Sequence, residues 1–547
     1  MRGTLMPPDS SENVAREHFP YPSRRMPLYA ARGVVATSAP LAAQAGLQML
    51  QRGGTAVDAA IATAVALTVV EPTSNGIGSD ACALVWDGRC LHGLNGSGRA
   101  PATHTPALFA GLGLSAIPAT GWLPVTVPGA PAAWRDLHAR FGRLPFATLC
   151  EPAIAYAADG FPPGPVTAQA WAQAALAYAA NTGPEFAAWF DTFAPKGHGP
   201  RPGEICTLPD HATTLRRIAQ SHADDFYQGE LAERIARFAL ETGGYLTAAD
   251  LAAHTSTWVE PLRTCYRGYD VWELPPNGQG ISALAALNIL EGFDLRAHPR
   301  ESAQSYHLQI EAMKLAFVDA LRYVADPERV EVPIRGLLDK AYAAQRRRLI
   351  GTQAGEPTPG EPPRGGTVYL CTADHDGMMV SYIQSNYMGF GSGIVVPGTG
   401  IALQNRGACF VLEPGHPNCV GPGKRPYHTI IPAFLTRAGE ALGPFGVMGG
   451  FMQPQGHVQM VVNEVDYAMN PQTCLDAPRW QWLRGREVAL EVEVPRPVID
   501  GLEARGHQVV IQSNPRSFGR GQIIRRLPSG AYVAGSEPRA DGCAVGF

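Results

Sequence analysis

Apolar and polar positions divide this chain into stretches of different period. Gly33-Val34-Val35-Ala36-Thr37 is a short apolar run and predicts a strand. Ser38 is then expected to cap an Ala/Leu-rich helix that runs to Arg52 and stops at Gly53-Gly54. Thr55 to Val70 is apolar almost all round, which predicts a buried helix ending before Glu71-Pro72. Ala81–Trp86 and Cys90–Leu94 flank Asp87-Gly88 and predict a hairpin. A helix is expected through Trp134 to Arg140. From Phe146 to about Ile350 the pattern is mainly helical, with amphipathic stretches at Leu231–Glu241 and Ser302–Tyr323. After residue 366 the character changes to short strands, at Val368–Ala373, Val380–Gln384, Thr429–Leu435 and Gly446–Met448. A helix follows Gln455, through Val458 to Val465, and further strands fall at Gly521–Arg525 and Ala531–Ala534. Residues 1–30 read as a loose arm, and Gly351 to Gly366 as a Pro/Gly-rich, mobile and exposed linker.

The boundary between the two regimes carries the candidate chemistry. Thr367 opens a strand directly after Gly365-Gly366. A threonine hydroxyl is a poor nucleophile alone but a good one beside a base, and a free α-amine on the same residue can serve as that base. Such an amine has a pKa of roughly 7.7–8.0, so it is largely neutral near pH 8. Freeing it requires a cut between Gly366 and Thr367. Glycine before the threonine tolerates the backbone geometry such an attack needs. The same local pattern also describes an ordinary strand entry after a Gly-Gly turn.

Composition narrows the class. The chain has 547 residues, 45% hydrophobic and 17% charged, with a net charge of −4. No basic stripe argues for nucleic acid and no apolar run is long enough to span a membrane. The N-terminal residues lack the apolar core of a secretion signal, and the ten cysteines show no CxxC spacing. They read as reduced, mostly buried thiols in a cytoplasmic enzyme. No HExxH, paired CxxC, phosphate loop or dinucleotide fingerprint occurs, so neither metal nor cofactor is expected.

Other segments carry possible site residues. Gly446-Val447-Met448-Gly449-Gly450 is a strand followed by a glycine pair, which can aim main-chain N–H groups at an oxyanion. Arg99 and Arg406 suit carboxylate binding, although each is also compatible with a surface or ion-pair role. His428-Thr429 can line a site, or the histidine can be structural.

Taken together the segments resemble the γ-glutamyltransferase family of N-terminal nucleophile hydrolases. The resemblance rests on Gly53-Gly54-Thr55-Ala56-Val57-Asp58-Ala59-Ala60, Val127-Pro128-Gly129, Asp225-Phe226-Tyr227-Gln228-Gly229, Gly366-Thr367, Gly389-Phe390-Gly391-Ser392-Gly393, Gly423-Lys424-Arg425-Pro426 and Gly449-Gly450. It spans about Gly33 to Phe547. It implies an α+β fold, a four-layer αββα sandwich built jointly by two autoprocessed fragments, 1–366 and 367–547. These would form a heterodimer, possibly paired again. Thr367 would be the nucleophile, Ser385 its supporting hydroxyl, and Gly449 and Gly450 the oxyanion hole. Arg99 falls on the family's arginine for the substrate α-carboxylate.

Departures from the family pattern bear on substrate. Tyr387 stands where an asparagine is usual, and Cys409 where an acid holds the glutamyl α-amine. Arg406 replaces a neighbouring glutamine, and His428-Thr429 a Ser-Ser pair. The lid loop usual between Pro414 and Pro422 is absent. The expected reaction is attack of Thr367 on a carboxylate-bearing small-molecule amide, with water or an amine as acceptor. The first expectation for the acyl group is γ-glutamyl, as in glutathione. The alternative is another anionic acyl, glutaryl (cephalosporin-acylase-like) or oxamate. A reading of a different class is a catalytically silent binding protein on the same fold.

Overall fold

The computed structural model describes residues 20–23, 25–357 and 366–547. Two seven-stranded sheets, antiparallel throughout, form its centre. In the first, Val34–Thr37 and Met379–Tyr387 flank Gly366–Ala373. Cys543–Gly546 lies outside Val34–Thr37. Asp80–Trp86, Leu91–Asn95 and Thr257–Val259 continue from the other side. In the second, the order is Leu28–Ala30, Tyr532–Ser536, Arg520–Arg526, Glu440–Met448, Ala433–Arg437, Tyr269–Glu273 and Leu262–Tyr266.

The two sheets face each other, with Trp86 of the first stacked on Phe434 of the second at 6.2 Å between ring centroids. Helices Pro40–Gln51 and Ala56–Val70 share the first sheet's apolar cluster. Gly280–Leu290, Ala303–Tyr323 and Met452–Val465 share one with the second sheet. This is the expected αββα layering. Every residue of Ala56–Val70 is buried. That accounts for its all-round apolar pattern, which an amphipathic surface helix would not have. Its N-terminus carries a capping box, Thr55 with Asp58, and Asp374 accepts from Ala56 N at 2.7 Å.

Several expectations need correction. Ser38 does not cap the first helix: Ala39 holds that position without a side-chain bond, and the Ser38 hydroxyl bonds the Glu71 carboxylate instead. The region 146–350 is not helical throughout, since Thr257–Val259, Leu262–Tyr266 and Tyr269–Glu273 are sheet strands. Their alternation is short and broken by Glu260-Pro261, which hid it. Of Thr429–Leu435 only Ala433 onward is strand. Leu28–Ala30 pairs with Tyr532–Ser536, so the end of the arm is fixed; residues 1–19 and 24 lie outside the described residues. The start of the linker is also fixed. His307 bonds Gly351 O, Arg505 bonds Thr352 O, and Glu311 accepts from Gly355 N at 3.0 Å. The rest of the expected mobile segment, 358–365, lies outside the described residues. All ten cysteines are free, but only four are buried, and Cys90 and Cys265 are exposed.

Candidate active site

Thr367 is the second residue of the strand Gly366–Ala373, and its side chain is fully buried between the sheets. The ladder to Met379–Tyr387 is regular from Val368 onward, while Gly366 pairs with Tyr387 after a register shift. The irregularity falls on Thr367 itself, so its main chain is held by neighbours on both sides but not by a uniform ladder. Thr367 Oγ1 lies 3.1 Å from Ser385 Oγ and 3.4 Å from Gln453 Nε2. Arg520 Nη2 donates to Thr367 O at 3.1 Å and to Ser74 Oγ at 3.1 Å, while Nη1 pairs with Glu71 at 2.9 Å. Ser385 is thus brought to Thr367 as expected. Gln453 and Arg520 were not foreseen. Gln453 lies in Gly449-Gly450-Phe451-Met452-Gln453, three residues past the glycine pair, and that proximity was the one available signal.

Gly449 and Gly450 form the turn between the strand Glu440–Met448 and the helix Met452–Val465, with φ of +136° and +62°. Both angles disfavour any residue with a Cβ, which explains the glycine pair. Gly450 O accepts from Gln279 Nε2 at 2.9 Å, fixing the peptide plane. Among the described residues neither glycine N–H donates to another group. Two main-chain donors one turn from Gln453 are therefore available to an oxyanion.

Around Ser385 the site turns cationic. Arg406, fully buried, donates to Ser385 Oγ at 3.0 Å and to Thr429 Oγ1 at 2.5 Å. Its guanidinium stacks on the Tyr387 ring at 4.5 Å. Tyr387 N also donates to Ser385 Oγ at 2.7 Å. Cys409 sits beside both Tyr387 and Arg406, and burial pushes its thiol pKa up, so it is neutral. The sequence-derived set Ser385, Tyr387, Arg406, Cys409 and Thr429 is therefore one cluster.

His428 and Arg99 are bonded to other partners. His428 bonds Asp80 at 2.9 Å through Nε2, and its Nδ1 accepts from Ile430 N at 3.3 Å, so both ring nitrogens are used. Burial, with the Arg406 charge nearby, pushes its pKa down to about 4 against the pull of Asp80, leaving it neutral. It supports the loop that carries Thr429. Arg99 is held by Glu328 at 2.8 Å and Asp326 at 3.3 Å, beside Arg425, which also pairs with Glu328. It lines a cleft with Val127, Asp250 and His254, and no bond joins it to the Thr367 cluster among the described residues.

Two groups have ligand types suited to a metal ion, Asp87–Cys90–His92 on a hairpin and His307–Glu311–His507 in the interior. In the first, Arg140 donates to His92 Nδ1, which leaves the proton on Nε2. In the second, Lys314 Nζ already places a cation 2.6 Å from Glu311.

A sandwich of this layering, with a hydroxyl residue near the start of an inner strand, is the arrangement of an N-terminal nucleophile hydrolase. The model of the gamma-glutamyltranspeptidase family matches residues 42–547, and the chain belongs to that family. It is 37% identical to the glutathione hydrolase-like YwrD proenzyme of Bacillus subtilis, covering 93% of this chain and 97% of that one. It is 35% identical to the oxamate amidohydrolase proenzyme of Klebsiella pneumoniae, covering 93% and 97%. The crystal structure of cephalosporin acylase from Bacillus halodurans superposes with a TM-score of 0.93 at 54% identity, covering 97% and 99%. As a family member the chain is an enzyme with an N-terminal nucleophile, made as a proenzyme and processed into two fragments. Among the described residues no helix is long and apolar enough to cross a membrane.

Proposed function

We propose that this protein is an amidohydrolase and acyltransferase that cuts itself between Gly366 and Thr367 and then uses Thr367 as its nucleophile. The observation that carries this reading is Thr367 Oγ1 between Ser385 Oγ and Gln453 Nε2, the latter three residues past Gly450. In self-cleavage the Thr367 hydroxyl adds to the Gly366 carbonyl, and the C–N bond breaks to leave an ester. That break frees the Thr367 amine, and water then hydrolyses the ester, releasing the Gly366 carboxylate and returning the Thr367 hydroxyl. In turnover the amine takes the hydroxyl proton as the oxygen adds to the substrate carbonyl. Gly449 and Gly450 N–H stabilise the oxyanion, a contribution of about 3 kcal/mol per donor. The leaving amine departs with the proton, and water or a second amine releases the acyl group. The fragments would be 1–366 and 367–547, joined as a heterodimer.

For the acyl group, family membership supports γ-glutamyl amides such as glutathione, with Arg99 as the α-carboxylate ligand. A second reading, an anionic acyl without an α-ammonium as in glutaryl amides or oxamate, is favoured by the absence of a carboxylate bonded in the Arg406 cluster among the described residues. A cytoplasmic location is the expectation from the sequence. The reading is tested by turnover of γ-glutamyl, glutaryl and oxamoyl anilides by the wild type and by Thr367→Ala. Loss of all turnover in the variant is expected. Turnover that survives it would reject Thr367 as nucleophile. No turnover by a properly cleaved wild type would favour the binding-protein reading.

A further inference from the structure

A cation holds the carbonyl of Thr367. Arg520 Nη2 donates to Thr367 O and to Ser74 Oγ, each at 3.1 Å, and Nη1 pairs with Glu71 Oε1 at 2.9 Å. Glu71 is the C-cap of the buried helix Ala56–Val70, and its other carboxylate oxygen accepts from Ser38 Oγ. Both charged side chains are buried. A neutral donor would satisfy a main-chain carbonyl without taking charge out of water, so a buried ion pair in that place calls for a reason. The frame that carries Arg520 also carries the glycine turn. Arg520 stands opposite Met448 in the ladder between Glu440–Met448 and Arg520–Arg526, and Met448 directly precedes Gly449. Gly519, at a φ of +74°, packs there. A Cβ on it would meet Met448 O at 2.5 Å, and one on Gly449 would meet Gly519 Cα at 3.0 Å. The rung that fixes the glycine turn therefore fixes Arg520 as well.

The charged groups around Thr367 are mostly cations. Arg406 reaches Thr367 Oγ1 through one hydroxyl, Ser385 Oγ, in steps of 3.0 and 3.1 Å. Arg516 has an Nε with no partner among the described residues, and burial with the Arg520 charge pushes it down to about 10, where it is still charged. Two carboxylates oppose these. Glu71 lies on the guanidinium nitrogen that does not touch Thr367, and Asp541 accepts from Val166 N and Thr167 N. Burial keeps Tyr387 and Cys409 neutral. Cutting the chain before Thr367 leaves an amine two bonds from the carbonyl carbon that Arg520 holds. The guanidinium then lies within about 7 Å of that amine at any torsion. A like charge so close disfavours the ammonium form.

We propose that Arg520 is a positioning residue: it orients Thr367 through the carbonyl and, once the chain is cut, keeps the new α-amine unprotonated and so able to act as the base. This rests on Thr367 as nucleophile and deepens that reading by naming what tunes its base. No proton passes through Arg520. The amine takes the hydroxyl proton and returns it to the leaving amine, and the guanidinium acts on the amine by charge and on the residue by its hydrogen bond.

The test uses wild type, Arg520→Lys, and a double variant, Arg520→Gln with Glu71→Gln, which removes both charges together. Intact mass scores the cut. Competitive labelling with acetic anhydride, read on the N-terminal peptide of the small fragment, gives the pH midpoint of the Thr367 amine without a substrate. The wild-type midpoint should lie about one pH unit or more below the 7.7–8.0 of an ordinary α-amine. The double variant should move it up by about one unit, so that the free amine at pH 6.5 falls about tenfold. Arg520→Lys keeps the charge and should stay within about half a unit of the wild type. A merely structural Arg520 would lower the melting temperature of the variants and leave the midpoint unmoved. That result, or a wild-type midpoint of about 7.7 or above, overturns the proposal. Should the double variant fail to fold or to cut, the wild-type and lysine midpoints still decide. An uncut wild type has no amine on Thr367 and rejects the nucleophile reading, and this role with it. A cut wild type with an unshifted amine rejects the role of Arg520 alone.

Discussion

Two groups of buried arginines in this molecule do opposite things. Around Arg479 and Arg539, two guanidinium groups meet two carboxylates, Glu537 and Glu491, at 2.5 to 2.8 Å, and other donors, though not Arg479 Nε, reach the carbonyls of Leu475, Ala477, Phe518 and Gly519. Charge is balanced there. The Arg479 and Arg539 charges hold the Glu537 carboxyl below its usual range, although burial alone would raise it. Around Arg406 there is one cation, hydroxyls and an aromatic face. The first group is finished by the fold and ties the C-terminal strands to the loop before Trp480. In the second, no carboxylate among the described residues pairs with the guanidinium. Balance of charge, more than depth of burial, separates the two groups.

Substitutions should keep that contrast visible. The largest effect is expected from Thr367→Ala, which should lower amide turnover by at least about a thousandfold and leave the chain uncut. Its melting temperature should stay near that of the wild type. No substitution in the balanced group should separate activity from stability in this way. Next, Arg479→Met should destabilise the protein by about 3–5 kcal/mol, because it leaves Glu537 short of a partner in a dry interior. Thermal unfolding measures this, and a change under about 1 kcal/mol would undo the structural assignment. Arg406→Met should move the other way, a gain of about 1–3 kcal/mol, since it removes a charge that no carboxylate among the described residues pairs. A large loss there would mean that Arg406 is structural after all.

Acid should weaken the fold through its buried histidines. Burial pushes His428, His211 and His254 down to about 4. An unfolded histidine takes up a proton as pH falls through about 6.5, whereas the folded one does not until about 4. The stability these groups confer is therefore fully present above pH 6.5 and lost as pH falls toward 4. Melting temperatures across that window should decline, and more shallowly for His428→Gln. The smallest effect is expected from Arg99→Ala. Its partner Glu328 is half exposed, so stability should change by less than about 1 kcal/mol. A selective loss of γ-glutamyl turnover in that variant would support Arg99 as the α-carboxylate ligand, and unchanged turnover would count against it.

Much of this was legible in the residues. The buried helix Ala56–Val70, the hairpin across Asp87-Gly88 and the strand beginning at Gly366-Thr367 follow from local pattern and turn chemistry. Gly449-Gly450 marked the end of a strand at a junction able to present main-chain N–H groups. What stayed hidden depended on contacts between distant segments. Arg520 reaches the Thr367 carbonyl across 153 positions, and Asp80 meets His428 across 348. No spacing rule connects such residues. Likewise Arg99 and Arg406 look alike in sequence; only the carboxylates around the first, with none paired to the second among the described residues, tell them apart.

The most direct test of the central claim is intact mass and N-terminal sequencing of the purified protein. Scaling 58.3 kDa by length predicts fragments of about 39 and 19 kDa, the smaller beginning Thr-Val-Tyr-Leu. That result would give Thr367 the free amine its chemistry requires. A single chain that remains uncut on incubation, or a cut at any other bond, would contradict the assignment of Thr367 as the nucleophile.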